Sequence, residues 1–231
     1  MKTFKSKPRL TLITLLFISS IAVLSSCTKN NDNNSVPPAH VMVVNTVSGS
    51  AAQDLYLNNA KITSSAVVYG QSSEYIATKP GTDNAQFFTS GSQTVNTSFS
   101  LSLSPGKYYT VYYVNNGTAN TSYTTVDNMT APQANFASVQ FINFTTGLAS
   151  AIDFGVSGSS KLANNVATAT ASGFYNVDSS KDSFSVYAAG SATVALSIPV
   201  TLKSGTIYSV YITGSSLANI AFHVVVHTAA Q

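Results

Sequence analysis

Few side chains in this chain have the type and spacing for chemistry. His223 and His227 lie four apart on an apparent strand, so both imidazoles point to one face. Two imidazoles could share a zinc ion, but zinc normally takes four ligands, and no thiol or nearby carboxylate accompanies them. Partly exposed histidines on the last strand are the simpler expectation, and no metal site is assigned. Asp178 and Asp182 flank Ser179-Ser180-Lys181. A calcium loop needs more oxygen ligands at closer alternating spacing, and the intervening lysine opposes a cation, so a solvated loop is expected. Glu74, the only glutamate, and Asp54 stand alone. The paired carboxylates of glycoside hydrolysis cannot be assembled from them. The chain has no Gly-x-Ser-x-Gly elbow and no Gly-rich phosphate cradle. No catalytic residue and no cofactor is assigned, and an enzyme is the reading these residues support least.

Aromatic rings are the remaining candidates. Gly106/Tyr109 and Gly205/Tyr208 share a Gly-x-x-Tyr spacing. It looks like the tyrosine corner of β-sandwiches, where a phenol hydroxyl bonds back to the backbone. Tyr109, Val111 and Tyr113 then match Tyr208, Val210 and Ile212 as an inward face. Tyr108 and Tyr112 fall on the opposite face, with Ile207 and Tyr211 as their counterparts. Tyr108, Tyr112 and Tyr211 are therefore the candidate ligand-facing aromatics, able to stack on sugar faces if exposed. Aromatic residues are also ordinary strand formers, and these rings could equally cover a sheet face against a neighbouring domain.

The single cysteine, Cys27, closes the run Leu24-Ser25-Ser26-Cys27. Lys2, Lys5, Lys7 and Arg9 precede an apolar stretch from Leu10 to Leu24. That stretch is about 15 residues long, suited to a signal peptide and short of the roughly 20 that span a bilayer. The arrangement resembles the lipobox of bacterial lipoproteins, in which the signal peptide is removed and the cysteine is lipidated. The resemblance implies several acyl chains on Cys27, each methylene adding about 0.8 kcal/mol of membrane affinity. The expectation is a lipid-anchored protein of the bacterial outer membrane, facing the periplasm or the cell surface.

Removal of that segment changes the charge balance. The full chain carries a net charge of +3, but four of its eleven basic residues precede Cys27, leaving seven lysines against eight acids. Arg9 is the only arginine. Without the usual bidentate reader of phosphates and guanine edges, nucleic acid is not an expected partner. The expected partners are the membrane, through the anchor, and an envelope protein or glycan.

The elements that must carry these residues are strands. From Thr28 to Ala39 the chain is Asn-rich and ends in Pro37-Pro38-Ala39, a polar tether unable to bury enough apolar surface to fold. Beyond it, short runs rich in Val, Ile, Thr, Tyr and Phe are punctuated by Gly, Asn and Ser. Val41-Met42-Val43-Val44-Asn45, Asp54-Leu55-Tyr56-Leu57 and Tyr109-Thr110-Val111-Tyr112-Tyr113 are examples. Ser98 to Leu103 sets Phe99, Leu101 and Leu103 on one face and serines on the other, the pattern of a half-buried antiparallel strand. No sustained 3.6-residue stripe of helical length is present. The fold class is all-β.

The pattern also repeats. Leu103-Ser104-Pro105-Gly106-Lys107-Tyr108-Tyr109-Thr110-Val111-Tyr112 is echoed by Leu202-Lys203-Ser204-Gly205-Thr206-Ile207-Tyr208-Ser209-Val210-Tyr211 at an offset of 99. Phe87 to Val95 pairs with Val186 to Val194 at 99, and Val43-Val44-Asn45 with Phe141-Ile142-Asn143 at 98. An offset held to one residue over most of the chain marks a duplication. Each copy is about 90 residues, a usual size for one β-sandwich. The reading is a signal peptide at 1–26, a tether at 27–39, and sandwiches at 40–131 and 135–231.

Three stretches of the first copy resemble a bacterial lipoprotein family, domain of unknown function 4397. They are the opening strand with Asp54-Leu55-Tyr56-Leu57-Asn58-Asn59, then Val68-Tyr69-Gly70-Gln71-Ser72-Ser73-Glu74-Tyr75 leading to Lys79-Pro80-Gly81-Thr82, and Leu103 to Val111. The second copy keeps the last and degrades the others: Ile152-Asp153-Phe154 replaces the first, and Ala171-Ser172-Gly173-Phe174-Tyr175 the Tyr-Gly element. The resemblance implies two tandem immunoglobulin-like or transthyretin-like antiparallel β-sandwich domains at the cell envelope. It implies no reaction and no ligand. The functional expectation is a non-catalytic protein-interaction, adhesion or structural module, with carbohydrate binding as the alternative.

Overall fold

Val41 to Val44 is apolar without a break, whereas Ser98 to Leu103 alternates, and the difference predicts how many faces of each strand are covered. The computed structural model describes residues 36–148 and 151–228. The signal segment, Cys27 and the tether up to Ser35 lie outside the described residues. The first copy contains β1 (Ala39–Asn45), β2 (Gln53–Leu57), β3 (Ala60–Lys61), β4 (Ile76–Thr78), β5 (Gly81–Thr89), β6 (Val95–Leu103), β7 (Tyr108–Asn115) and β8 (Asn120–Asp127). The second contains β9 (Phe136–Thr145), β10 (Ile152–Val156), β11 (Lys161–Val166), β12 (Thr170–Asp178), β13 (Ser183–Ala188), β14 (Leu196–Pro199), β15 (Ile207–Gly214) and β16 (Ala221–His227). Among the described residues the only helix is a three-residue 3-10 turn, Leu217–Asn219.

The duplication extends to topology. Sheet orders are β4-β1-β7-β8 and β3-β2-β5-β6 in the first copy, and β12-β9-β15-β16 and β11-β10-β13-β14 in the second. Strand for strand the two are the same. One ladder in each departs from the antiparallel expectation: β1 runs parallel to β7, and β9 parallel to β15. The chain passes through the opposite sheet between those strands, so no hairpin fixes their relative direction.

Each sandwich has its own core. Val41, Val43, Leu55, Phe87, Leu101 and Val111 fill the first, and Val139, Phe141, Phe154, Phe184, Val210 and Ile212 the second. Phe99, Leu101 and Leu103 point inward with exposed serines between them, as the alternation required.

Both tyrosine corners form. The Tyr109 hydroxyl accepts from the Ser104 N–H at 2.8 Å and Tyr208 from Lys203 N–H at 2.9 Å. The repeated asparagines also act alike. Asn45 and Asn143 are fully buried, and their side-chain amides donate to the carbonyls of Val67 and Val166 at 3.2 and 2.9 Å. Each thereby ties the end of its copy's first strand to the chain further on, at Val67 beyond β3 and at Val166 closing β11.

A third apolar cluster lies between the sandwiches. Met42, Val44, Tyr112 and Val114 from the first copy pack with Ile142, Phe144, Tyr211 and Val225 from the second. It explains the apolar run Val41 to Val44: β1, β7, β9 and β15 are buried on both faces, one toward their own sandwich and one toward the other. The described residues from Val36 onward accordingly form one compact unit.

Candidate functional site

The seam between the sandwiches gathers most of the residues singled out from sequence. Tyr112 and Tyr211 do lie on the outer face of their own sheets, but that face is covered by the other sandwich, and both are 0% exposed. Their rings meet at 6.1 Å, with Phe144 wedged beside both. The expectation that they face a ligand is therefore corrected. Hydrophobic burial of two apolar sheet faces wins over solvent exposure of the rings. Tyr108 is half-buried at the margin of the same cluster, stacked on His40 at 4.3 Å and edge-on to Tyr75 at 4.9 Å.

The two histidines share a face, as their spacing required. Among the described residues no group of three or more His, Cys, Asp or Glu side chains could hold a metal ion. His223 stacks on Tyr211 at 5.0 Å and contacts the Tyr69 hydroxyl at 3.1 Å. Gly70, with φ of +78°, lets the first sandwich approach it closely: a Cβ there would stand 2.8 Å from His223 Cε1. His227 corrects the expectation of partly exposed histidines on the last strand, being 3% exposed and held by both sandwiches.

The bonds around His227 have one consistent direction. Its Nδ1 lies 2.7 Å from the Tyr75 hydroxyl, which is 2.7 Å from Asp127 Oδ2, and its Nε2 lies 2.8 Å from Ser209 Oγ. An ionised carboxylate only accepts, so Tyr75 gives it its single proton and must accept from His227 Nδ1–H. Nε2 is then the acceptor for the Ser209 hydroxyl. Asp127 further accepts from Thr110 at 2.6 Å and Thr125 at 2.9 Å, so three hydroxyls satisfy its charge. Burial pushes the His227 imidazole below its ordinary pKa, against the opposing pull of the Asp127 charge. Burial likewise raises the Tyr75 phenol far above its ordinary value, with the Asp127 charge reinforcing it.

A serine, an imidazole and a carboxylate in series have the polarity of a nucleophilic triad, here with a phenol inserted. Access decides against chemistry. Ser209 is fully buried, and no substrate carbonyl can reach its oxygen. The network is a polar bolt between the sandwiches.

The other sequence candidates stay apart. Asp178 and Asp182 are exposed on their turn, and Asp178 accepts from the Ser180 N–H at 2.9 Å. Glu74 is exposed. Asp54 is buried and paired with Lys61 at 2.9 Å, a pair repeated by Asp153 with Lys161 at 2.8 Å.

One concave feature opens at the end of the seam. A cleft of about 360 Å³ is lined by Ser48, Tyr69, Asn115, Phe144, Thr146 and Asn219, among others, and no charged side chain lines it. Sequence reasoning had not found it, because its walls come from loops and strand ends of both copies. It also had not found Tyr75, Asp127 or Ser209 as partners of a histidine. The repeat held a signal for one of them: Asp127 stands opposite Tyr108 as His227 stands opposite Ile207, at matching places in their ladders.

Fold and site together define a tandem β-sandwich whose polar chemistry is spent on joining its two halves. The family model for a domain of unknown function (DUF4397) matches residues 39–155, and the chain belongs to that family. The match covers the first sandwich and ends inside β10 of the second. No curated protein matches the sequence. Among solved structures, a crystal structure of CBMbc, a family CBM26 module from Eubacterium rectale Amy13K in complex with maltoheptaose, covers 84% of this chain and 97% of its own at 11% identity, with a TM-score of 0.27. A superposition that loose carries no argument about fold or ligand.

Proposed function

We propose that this protein is a lipid-anchored, non-catalytic module of the bacterial cell envelope that acts by binding a protein partner or by packing against one. The observation that carries the reading is the sealed seam. The residues with the means for acid–base or nucleophilic chemistry, His227, Ser209 and Asp127, are all buried in it. What remains for a partner is the outer surface of the paired-sandwich body. The basic start, the apolar run and Leu24-Ser25-Ser26-Cys27 support the anchor. Metabolic labelling with a clickable fatty acid should tag the wild-type chain and leave Cys27→Ser untagged and released from the membrane fraction. Crosslinking in intact cells should recover a protein partner. A chain that stays uncrosslinked and monomeric would overturn the interaction reading.

The seam cleft favours a second reading. Hydroxyl and amide groups beside the rings of Tyr69 and Phe144, without charge, suit a neutral hydroxylated ligand such as a glycan. A glycan array should then give a signal that is lost in Tyr69→Ala. A silent array would remove this reading and leave the first untouched.

A further inference from the structure

The two sandwiches touch through equivalent positions. Ladder register makes Asp127 the counterpart of His227, Thr110 of Ser209, Tyr112 of Tyr211 and Tyr123 of His223. At two places in the seam, counterpart meets counterpart. The Tyr112 and Tyr211 rings are 6.1 Å apart, and Asp127 Oδ2 stands 3.9 Å from His227 Nδ1. A surface that contacts its own equivalent is isologous, the pattern of a two-fold dimer, here between two copies in one chain. Local bonding repeats as well: the Thr110 hydroxyl donates to Asp127 at 2.6 Å, and that of Ser209 to His227 at 2.8 Å.

The copies differ where the axis passes. One presents a carboxylate and the other an imidazole. Tyr75, the bridge between them, also has a counterpart. Ser73 Oγ accepts from Val43 N–H and Ser172 Oγ from Phe141 N–H, both at 2.9 Å, so Ser73 matches Ser172 and Tyr75 matches Phe174. Phe174 has no hydroxyl to offer.

We propose that this face is a pairing surface for a second sandwich of the same fold, and that the Asp127/His227 difference selects which copy it accepts. Two first sandwiches would bring two carboxylates to within about 4 Å in a buried site, where like charges repel strongly. Two second sandwiches would set imidazole against imidazole with phenylalanine in place of the bridging phenol. Only the unlike pair gives each buried group a partner. Selectivity therefore resides in one complementary pair, while the apolar cluster supplies the adhesion.

Exchange of the pair in the full chain tests this. Asp127→His and His227→Asp are each expected to lower the melting temperature, one by creating an imidazole pair and the other a carboxylate pair. The double exchange restores an unlike pair within reach of the Tyr75 hydroxyl, and should recover at least half of the combined loss and elute as a monomer. Purely additive losses would overturn the proposal, since they would mean that each side chain suits only its own pocket. Should His227→Asp fail to fold, the double variant still decides: it is expected to fold, and its failure to fold would also overturn the proposal.

Discussion

Replacing Tyr75 by phenylalanine removes one oxygen from the seam and leaves the ring that packs against Tyr108 in place. That oxygen donates to Asp127 Oδ2 and accepts from His227 Nδ1–H, each at 2.7 Å. Its loss leaves a buried N–H without a partner, which costs about 1–3 kcal/mol. It also withdraws one of three hydroxyls from a buried carboxylate, where a hydrogen bond to a charged group is worth about 1.5–3 kcal/mol. Thr110 and Thr125 still hold the carboxylate, so the two costs overlap and a total of about 2–4 kcal/mol is expected. For a body of this size each kcal/mol lowers the melting temperature by about 2–4 °C, giving a drop of roughly 5–15 °C at neutral pH. Calorimetry of the wild type, Tyr75→Phe and Tyr211→Phe measures it. Tyr211 supplies the control, because its buried hydroxyl has no hydrogen-bond partner and its removal should be neutral or slightly stabilising. A Tyr75→Phe loss under about 0.5 kcal/mol, or equal losses in both variants, would refute the polar-bolt account.

Acidification should weaken the protein over a defined range. The imidazoles of His227 and His223 both have pKa values held below the ordinary 6.5 by burial, so the unfolded chain takes up protons first as pH falls. Their contribution is complete above about pH 6.5 and lost progressively below it, and denaturant titrations at pH 7.5 and 5.5 should show the fall. A flat or opposite trend would contradict it. Gly70→Ala should cost more than its left-handed backbone alone, since the added Cβ would meet His223 Cε1 at 2.8 Å. A double-mutant cycle with His223→Ala should return part of that loss, and strict additivity would rule the contact out. Tyr208→Phe should lose about 1–2 kcal/mol by orphaning the Lys203 N–H, and Tyr109→Phe a similar amount through Ser104. Urea unfolding curves would expose a missing effect in either copy.

One alignment made from sequence alone needed the structure to correct it. Ala171 to Tyr175 is not the second copy's version of Tyr69-Gly70. The Gly70 N–H donates to the Asn45 carbonyl at 2.8 Å and the Ala169 N–H to that of Asn143 at 2.7 Å, which makes Ala169 the true counterpart. Both residues are left-handed, at φ +78° and +55°, but only one is glycine, so residue type alone misled the comparison.

Alternation, turn residues and an internal offset were enough to read an all-β chain, two copies, the inward faces and both tyrosine corners, because each rests on local spacing that chain geometry imposes. The outer faces of β1, β7, β9 and β15 are covered as well. Only the packed molecule decided that the cover is the other copy, and that Tyr112 and Tyr211 are hidden by it. Tyr75 reaches Asp127 across 52 residues and His227 across 152, and no periodicity encodes such separations. They follow from two sheet faces burying each other, which brings together polar groups that must then satisfy one another out of reach of water.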